Sequence, residues 1–420
     1  MTISILKNFG ILAAAETVSK VITFAAFAYL ARLLGPAGFG TIEWVAAVIM
    51  CVSLVIDQGF SSYGAREIAR NPADTSRLLS EIVTARSLLS AFCIIILILF
   101  LTTFSAQPVI RNLLLVYGLS LVGLPFLFQW VFQGHDMMRY AAAIQVIRQS
   151  VFATVVFLFV RVSGDLIIVG AAESAGVAAA ALFGIWSIRR VFGGLDLPRP
   201  HLSARLFREG VPIGISQMFW VTKMFGATMI LGLVATSEDT GYFAGAMRIL
   251  IAVHTFVWLY YFNLLPTLSR SWVKGFAEMS AIISRSLKLV VPASLAVAIV
   301  WVAGASFTMT FVYGSQFSAG GPALQIMAGI CVFAAVSGHF RFGLIAAGRQ
   351  NAEMLTAGFG AIAALILVPA GYFYGGVYWA AAGLLGAEFV VLASSWLLAY
   401  RLLVISNENP GLSNAAEVPQ

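Results

Sequence analysis

Residues 29–71 read YLARLLGPAGFGTIEWVAAVIMCVSLVIDQGFSSYGAREIARN. The first part is the end of an apolar helix, closed by a turn built on Gly35, Pro36, Gly38 and Gly40. A run of about twenty mostly apolar residues follows, the length that crosses a bilayer. It carries Glu43 and Asp57 on roughly one face, where capping or loop contacts are the simplest use for them. The last part, with Arg66 and Arg70, is too polar and basic for hydrocarbon. The stretch reads as a hairpin that crosses a membrane and returns, with its positive end on one side.

Outward from this hairpin the same composition continues. Of 420 residues, 60% are hydrophobic and 10% charged, and mean hydropathy is +0.93. Soluble domains are about one quarter charged. Apolar runs fall near 8–30, 41–62, 82–104, 113–132, 142–162 and 165–188. After a polar stretch they resume near 211–234, 243–266, 288–312, 322–345, 352–373 and 376–402. The expected fold is an all-α polytopic membrane protein of about twelve spans. Long apolar runs exclude an outer-membrane barrel, whose strands alternate. Cys51, Cys93 and Cys331 lie in or near spans without metal-ligand spacing and read as core residues. No metal or cofactor site is expected. The first span is too long for a cleaved signal peptide, and no small-residue cleavage site follows it.

The net charge of +7 is read as a topology signal, not as a sign of nucleic-acid binding. With the N-terminus in the cytoplasm, the inner side receives 18 of the 25 Lys and Arg, among them Lys7, Arg86, Arg148 and Arg199. The outer side receives only Arg32, Arg111 and Arg161. This predicts an even number of spans and both termini inside. Outer loops are short, which leaves no room for an extracytoplasmic catalytic domain; the chain reads as a transporter rather than an enzyme. The expected limits are an N-lobe over 1–188, a cytoplasmic linker over 189–210, a C-lobe over 211–404 and a polar tail over 405–420.

The halves look related. Aligning Gly38-Phe39 with Gly241-Tyr242 sets Lys20 opposite Lys223, each 18 residues upstream. FQGHDMM and AAGRQNAEM form a second matching pair; Gly134 lies 39 residues before Glu173, and Gly348 lies 40 before Glu388. Two lobes of equal topology would be parallel repeats, which commonly rock around a central site. Ionisable residues inside spans are costly and usually face a cavity or a partner. Glu16 and Lys20 stand at i and i+4, so they either neutralise each other or line a cavity. Lys223 is central in its span, with no acid at helical spacing. Arg248 and Arg341 lie within about two turns of a membrane face, where snorkelling competes with function. Glu173 and Glu388 are either buried and protonated or ion-coupling carboxylates. His254 and His339 are intramembrane and isolated, and read as satisfied core histidines. There is no phosphate-binding glycine loop, so no nucleotide hydrolysis is expected.

YLARLLGPAGFGTIEW and DQGFSSYGAREIAR resemble the N-terminal signature of the polysaccharide-export flippases, the Wzx-type O-antigen and exopolysaccharide translocases. FQGHDMMRYAAAIQVIRQS resembles their loop between spans 4 and 5. The specific motifs cover about the first 70 residues and this loop; span count and charge layout extend the likeness over nearly the whole chain. The family belongs to the multidrug/oligosaccharidyl-lipid/polysaccharide exporter superfamily. The resemblance implies two six-helix lobes in an inverted V around a cationic lumen. It implies translocation of undecaprenyl-diphosphate-linked oligosaccharide across the cell inner membrane, coupled to an ion or proton gradient, with a polysaccharide polymerase as partner. On this reading Lys20, Lys223, Arg248 and Arg341 line the path of the anionic headgroup. Glu16, Glu173 and Glu388 are charge partners or coupling groups, and the prenyl tail stays among membrane lipids. The rival is an ion-coupled drug or cation antiporter of the same superfamily, which should prefer an acidic cavity.

Overall fold

The computed structural model describes residues 2–103, 107–193 and 201–405, with side chains described over 14–102, 107–193 and 201–403. The Lys7 side chain, the linker residues 194–200 with Arg199, and the tail beyond 405 lie outside the described residues. The chain divides into two compact units, Met1–Met218 and Phe219–Gln420.

Unit 1 is built from α1 (Thr2–Asp57), α2 (Phe60–Arg70), α3 (Thr75–Thr103), α4 (Pro108–Gly118), α5 (Ser120–Gly123), α6 (Gln129–Gly134), α7 (Met138–Phe159) and α8 (Leu166–Phe192). The division falls within α9 (Ala204–Val221). A π-helical turn over Thr222–Gly226 follows, then α10 (Ala227–Val234), α11 (Ser237–Lys274), α12 (Phe276–Tyr313), α13 (Gly321–Ala346) and α14 (Gln350–Ala399), which runs into a second π-helical turn, Tyr400–Ile405. No strand occurs among the described residues. Hydrocarbon offers a peptide group no partner, and a helix satisfies its own.

Ten helical runs among the described residues are long and apolar enough to cross a bilayer, so the chain is a multi-pass membrane protein. Two runs are far too long for one crossing. The 56 residues of α1 would extend ~84 Å as a straight helix, against ~30 Å of hydrocarbon. Gly35 interrupts α1 with φ 69° and ψ 176°, a conformation that side chains resist, and Pro36 starts the next helical segment. Gly375 and Gly376 interrupt the 50 residues of α14, and of the two Gly376 has the positive φ, 78° with ψ −160°. Large side chains left bare on α3 (Leu88, Phe92, Ile95, Leu99) and on α12 (Ile299, Val300, Phe307, Phe311) are the lipid-facing surface.

The basic end of the hairpin is not a loop. It is α2, amphipathic, with Phe60, Tyr63 and Ile68 buried against Trp130 and Phe132 of α6 and Leu78 and Ile82 of α3. Its polar face carries an ion network: Glu67 meets Arg66 and Arg70 at 3.3 and 3.1 Å, and Arg66 reaches Glu209 on α9 at 3.0 Å. Arg205 closes the group on Glu209 at 2.8 Å. Such exposed pairs are each worth ~0–1 kcal/mol, so the apolar face holds α2 and the charges set its outer side. Arg86 and Arg148, counted above with the inner loops, lie within α3 and α7. Where α7 passes to α8, the Asp165 carboxylate accepts from the backbone N–H groups of Arg161 (2.8 Å) and Val162 (3.0 Å), which hold its carboxyl below the usual range.

The internal repeat has a backbone counterpart. After α6 the N–H of Met137 donates to Phe132 O (2.8 Å) and that of Asp136 to Gln133 O (3.1 Å). After α13 the N–H of Arg349 donates to Leu344 O (2.9 Å) and that of Gly348 to Ile345 O (3.0 Å). Both are Schellman caps, with Asp136 (φ 57°) and Gly348 (φ 75°) as the left-handed residues. The match moves the register: the partner of Gly348 is Asp136, not Gly134.

Gly64 has the Trp130 ring and Ile82 where a Cβ would stand, at 2.5 and 2.6 Å. Gly64→Leu is expected to lower stability by about 1–3 kcal/mol, read as a lower unfolding midpoint in detergent. Gly304→Leu, where the nearest neighbour of a Cβ is the Thr308 hydroxyl at 4.0 Å, is expected to leave the midpoint in place.

Candidate translocation site

The densest charge in the interior of unit 2 is one bond. The π-helical turn at Thr222–Gly226 carries Lys223, whose Nζ donates to Glu388 Oε2 of α14 at 2.6 Å. The side chains are 6% and 3% exposed. Gly360 leaves room beside the lysine stem; the nearest atoms to a Cβ there would be Val391 and Lys223 Cδ. His254 of α11, buried, and Arg341 of α13 lie within electrostatic range of the pair. Arg341 is itself held by Glu353 of α14, with Nε to Oε1 at 3.0 Å and a second contact from Nη2 to the same oxygen.

Two charges buried this far lose their hydration, and attraction in a low dielectric compensates only while both are present. The bond therefore holds the π-helical turn against α14 while the pair is intact. A π-helical turn widens the helix by one residue and is common at functional positions.

A polar cluster lies elsewhere in unit 2. His339 is fully buried, with Nδ1 near Ala335 O (2.9 Å) and Tyr261 Oη (2.7 Å). With Nδ1 donating to Ala335, Nε2 accepts from the Ser286 hydroxyl at 2.6 Å, and Tyr260 Oη also meets Ser286. His339 is thus a core histidine with its bonds made.

Unit 1 arranges its charges differently. Lys20 meets Glu16 at 3.2 Å at i and i+4, and the two side chains are 48% and 45% exposed. Gln145 of α7 donates to Glu16, and Thr23 donates to Gln149 of the same helix at 2.9 Å. Glu173 of α8 takes Arg148 of α7 at 2.5 Å. Arg86 is buried and donates to Asp57 at the end of α1 and to Ser61 at the start of α2; Asp57 also accepts from the Ser61 hydroxyl at 2.9 Å. Arg248 lies half-buried on α11 of unit 2.

The residues singled out from sequence are therefore joined in unequal ways. Lys223 and Glu388 meet; Glu16 and Lys20 meet; Glu173 meets Arg148 rather than Lys20. The paired lysines are alike in register and unlike in setting, one half-exposed and one buried. Sequence reasoning missed Glu353, Arg148 and the Arg86–Asp57 clasp. Arg148 was within reach of it, since the span 142–162 contains that position.

The model of the family described as polysaccharide biosynthesis protein matches residues 5–272. The chain belongs to that family. The resemblance drawn from the N-terminal signature is borne out at this level. Among curated relatives, a protein of Escherichia coli (strain K12) that carries an O-antigen transporter name is 24% identical over 256 residues, 59% of this chain and 60% of its own length. One of the same name from Shigella dysenteriae is 22% identical over 190 residues, 44% of this chain and 47% of its own. The matches thus span about half of each relative's length. Two solved structures share the fold. An inward-facing multidrug resistance MATE family transporter of the MOP superfamily superposes with a TM-score of 0.75, at 14% identity and over 93% of this chain and 96% of that one. The lipid II flippase MurJ, inward closed, gives 0.71 at 11% identity over 97% and 93%. At these identities the likeness is one of fold.

Breaking the Lys223–Glu388 bond from one side leaves an uncompensated buried charge, which costs about 3–5 kcal/mol. Lys223→Met alone is expected to lower stability by that amount. Lys223→Met with Glu388→Met is expected to recover most of it. Thermal unfolding of the four proteins of the cycle in detergent measures the coupling, and additive single effects would disprove a paired site.

Proposed function

We propose that this chain is a flippase for polyprenyl-diphosphate-linked oligosaccharide repeat units, moving them across the cell inner membrane for surface polysaccharide assembly by alternating access. The family match supports a lipid-linked oligosaccharide as cargo, and the buried Lys223–Glu388 bond is the observation that carries the mechanism. Each of the two kinked runs counts as two crossings, which brings ten runs to twelve spans in two six-helix lobes, 1–188 and 211–404. Both termini face the cytoplasm, as the Lys and Arg distribution supports. A polysaccharide polymerase is the partner that would consume the delivered units.

An anionic diphosphate needs cations and water to cross ~30 Å of hydrocarbon. Lys20, Lys223, Arg248 and Arg341 are the proposed donors. Lys223 has one ammonium, and Glu388 holds it at 2.6 Å. A diphosphate takes that ammonium only when the carboxylate is neutralised, because an unpaired buried carboxylate is costly. A proton on Glu388 does this. Departure of the diphosphate returns Lys223 to Glu388 and expels the proton, so cargo and proton are linked at a single bond, with His254 and Arg341 as its polar neighbours. Glu16 and Glu173 are charge partners in unit 1. The drug-antiporter reading would want free acids, whereas Glu173 and Glu388 are each matched by a cation.

In a deletion strain, a variant with Lys20→Ala, Lys223→Met and Glu388→Met is expected to reach the membrane at normal level. It should accumulate lipid-linked repeat units and lose at least about tenfold of its surface polysaccharide, the effect of ~1.4 kcal/mol on the barrier. Normal polysaccharide would remove the cationic path. A deletion strain without lipid-linked intermediates but with drug sensitivity would favour the antiporter. Glu388→Gln keeps Lys223 and removes the proton site. Its translocation in proteoliposomes is expected to lose all dependence on a pH gradient, and retained dependence would place coupling elsewhere.

A further inference from the structure

A cleft of about 220 Å³ opens at one end of unit 2. Its walls come from α12 (Phe276, Met279, Ile283, Leu287), α13 (Phe340) and the end of α14 with its π-helical turn (Trp396, Leu403). The volume is below the ~300–1,000 Å³ of pockets that enclose a whole small molecule, and it suits a segment of chain. Two features give its surroundings a chemistry. Trp396 and Tyr400 stack with ring centres 6.2 Å apart and are 54% and 48% exposed, an amphipathic pair of the sort found at headgroup level. On α12, Ser280 and Ser284 line the cleft, and the row continues one turn on to Lys288.

The charges nearby are sorted. Lys274 is held by Glu278 at 2.9 Å and Arg341 by Glu353. Arg285, Lys288 and Arg401, each the sequence neighbour of a lining residue, are exposed and make no ion pair among the described residues. The depth agrees. The 38 residues of α12 run ~57 Å, against ~30 Å of hydrocarbon, so its first three turns, which line the cleft, stand at headgroup level or beyond. The end of unit 2 that carries them also carries Arg270 and Lys274.

We propose that this cleft holds a resident anionic phospholipid, with part of one acyl chain along the apolar walls and its phosphate drawn to Arg285, Lys288 and Arg401. The site serves the protein's own lipid surroundings and does not rest on the proposed cargo. Basic pockets between transmembrane helices are a physical solution for anionic headgroups, and the three unpaired cations are what a neutral lipid would leave unused.

Trp396 reports on the occupant. The full-length protein is reconstituted in phosphatidylcholine vesicles containing either dibrominated phosphatidylglycerol or dibrominated phosphatidylcholine, and the Trp396 signal is taken as the difference from Trp396→Phe. The phosphatidylglycerol probe is expected to quench at about fivefold lower mole fraction, the effect of one surface cation. In a variant with Arg285→Gln, Lys288→Gln and Arg401→Gln the two probes are expected to quench equally. Counting copurified phosphatidylglycerol by native mass spectrometry needs no tryptophan replaced, and the triple variant should carry fewer molecules per chain. Equal quenching by the two lipids in the unaltered protein, or a preference that survives in the triple variant, overturns the proposal. So does relief of quenching by polyprenyl diphosphate at equal mole fraction, which would make the cleft a cargo site.

Discussion

Hydrocarbon accepts no unpaired peptide group and no unpaired charge, and most of this chain is arranged around that constraint. The backbone meets it with helices, and no strand occurs among the described residues. In the two runs of fifty residues or more, the break falls on glycine: Gly35 ahead of Pro36 in α1, and Gly375 with Gly376 in α14. Side chains meet it by pairing. Lys223 with Glu388, Arg148 with Glu173, and Arg341 with Glu353 each join residues of two different helices. A pair of this kind contributes little net stability relative to two apolar residues, but it penalises any state in which one partner is left alone. That penalty is what makes such a bond suitable for controlling a transport cycle.

How far this could be read from the sequence depends on the length scale of each contact. The hairpin over residues 29–71 was legible because its signals are local: an apolar run, a Gly/Pro turn, a cluster of arginines. The Glu16–Lys20 pair was legible for the same reason, lying at i and i+4 on one helix. Glu388 as the partner of Lys223 was not, since 165 residues and several helices separate them and no spacing rule spans that distance. A charge tally also blurs depth. It counts an arginine as a loop residue if a loop is near, and so it passed over Arg86 and Arg148, whose helices carry them inward.

The segment after Asp57 shows the same limit in another form. Its arginines, taken as letters, say only that it avoids lipid. That it folds back as α2 depends on Phe60, Tyr63 and Ile68 recurring at helical spacing and on Trp130 being there to receive them. The first half of that condition is in the local sequence. The second is supplied by α6, some sixty residues on.

The two Schellman caps bear on how the halves of this chain are related. One ends on Asp136 and the other on Gly348, so the letters disagree at the position whose left-handed torsion defines the motif. Aspartate tolerates that torsion less readily than glycine does, yet the six-residue knot of hydrogen bonds is the same. The likeness of these two helix ends lies in torsion angles and not in residue identity. Alignments anchored on shared glycines, as Gly134 with Gly348, can settle two residues out of step with the backbone they are meant to compare.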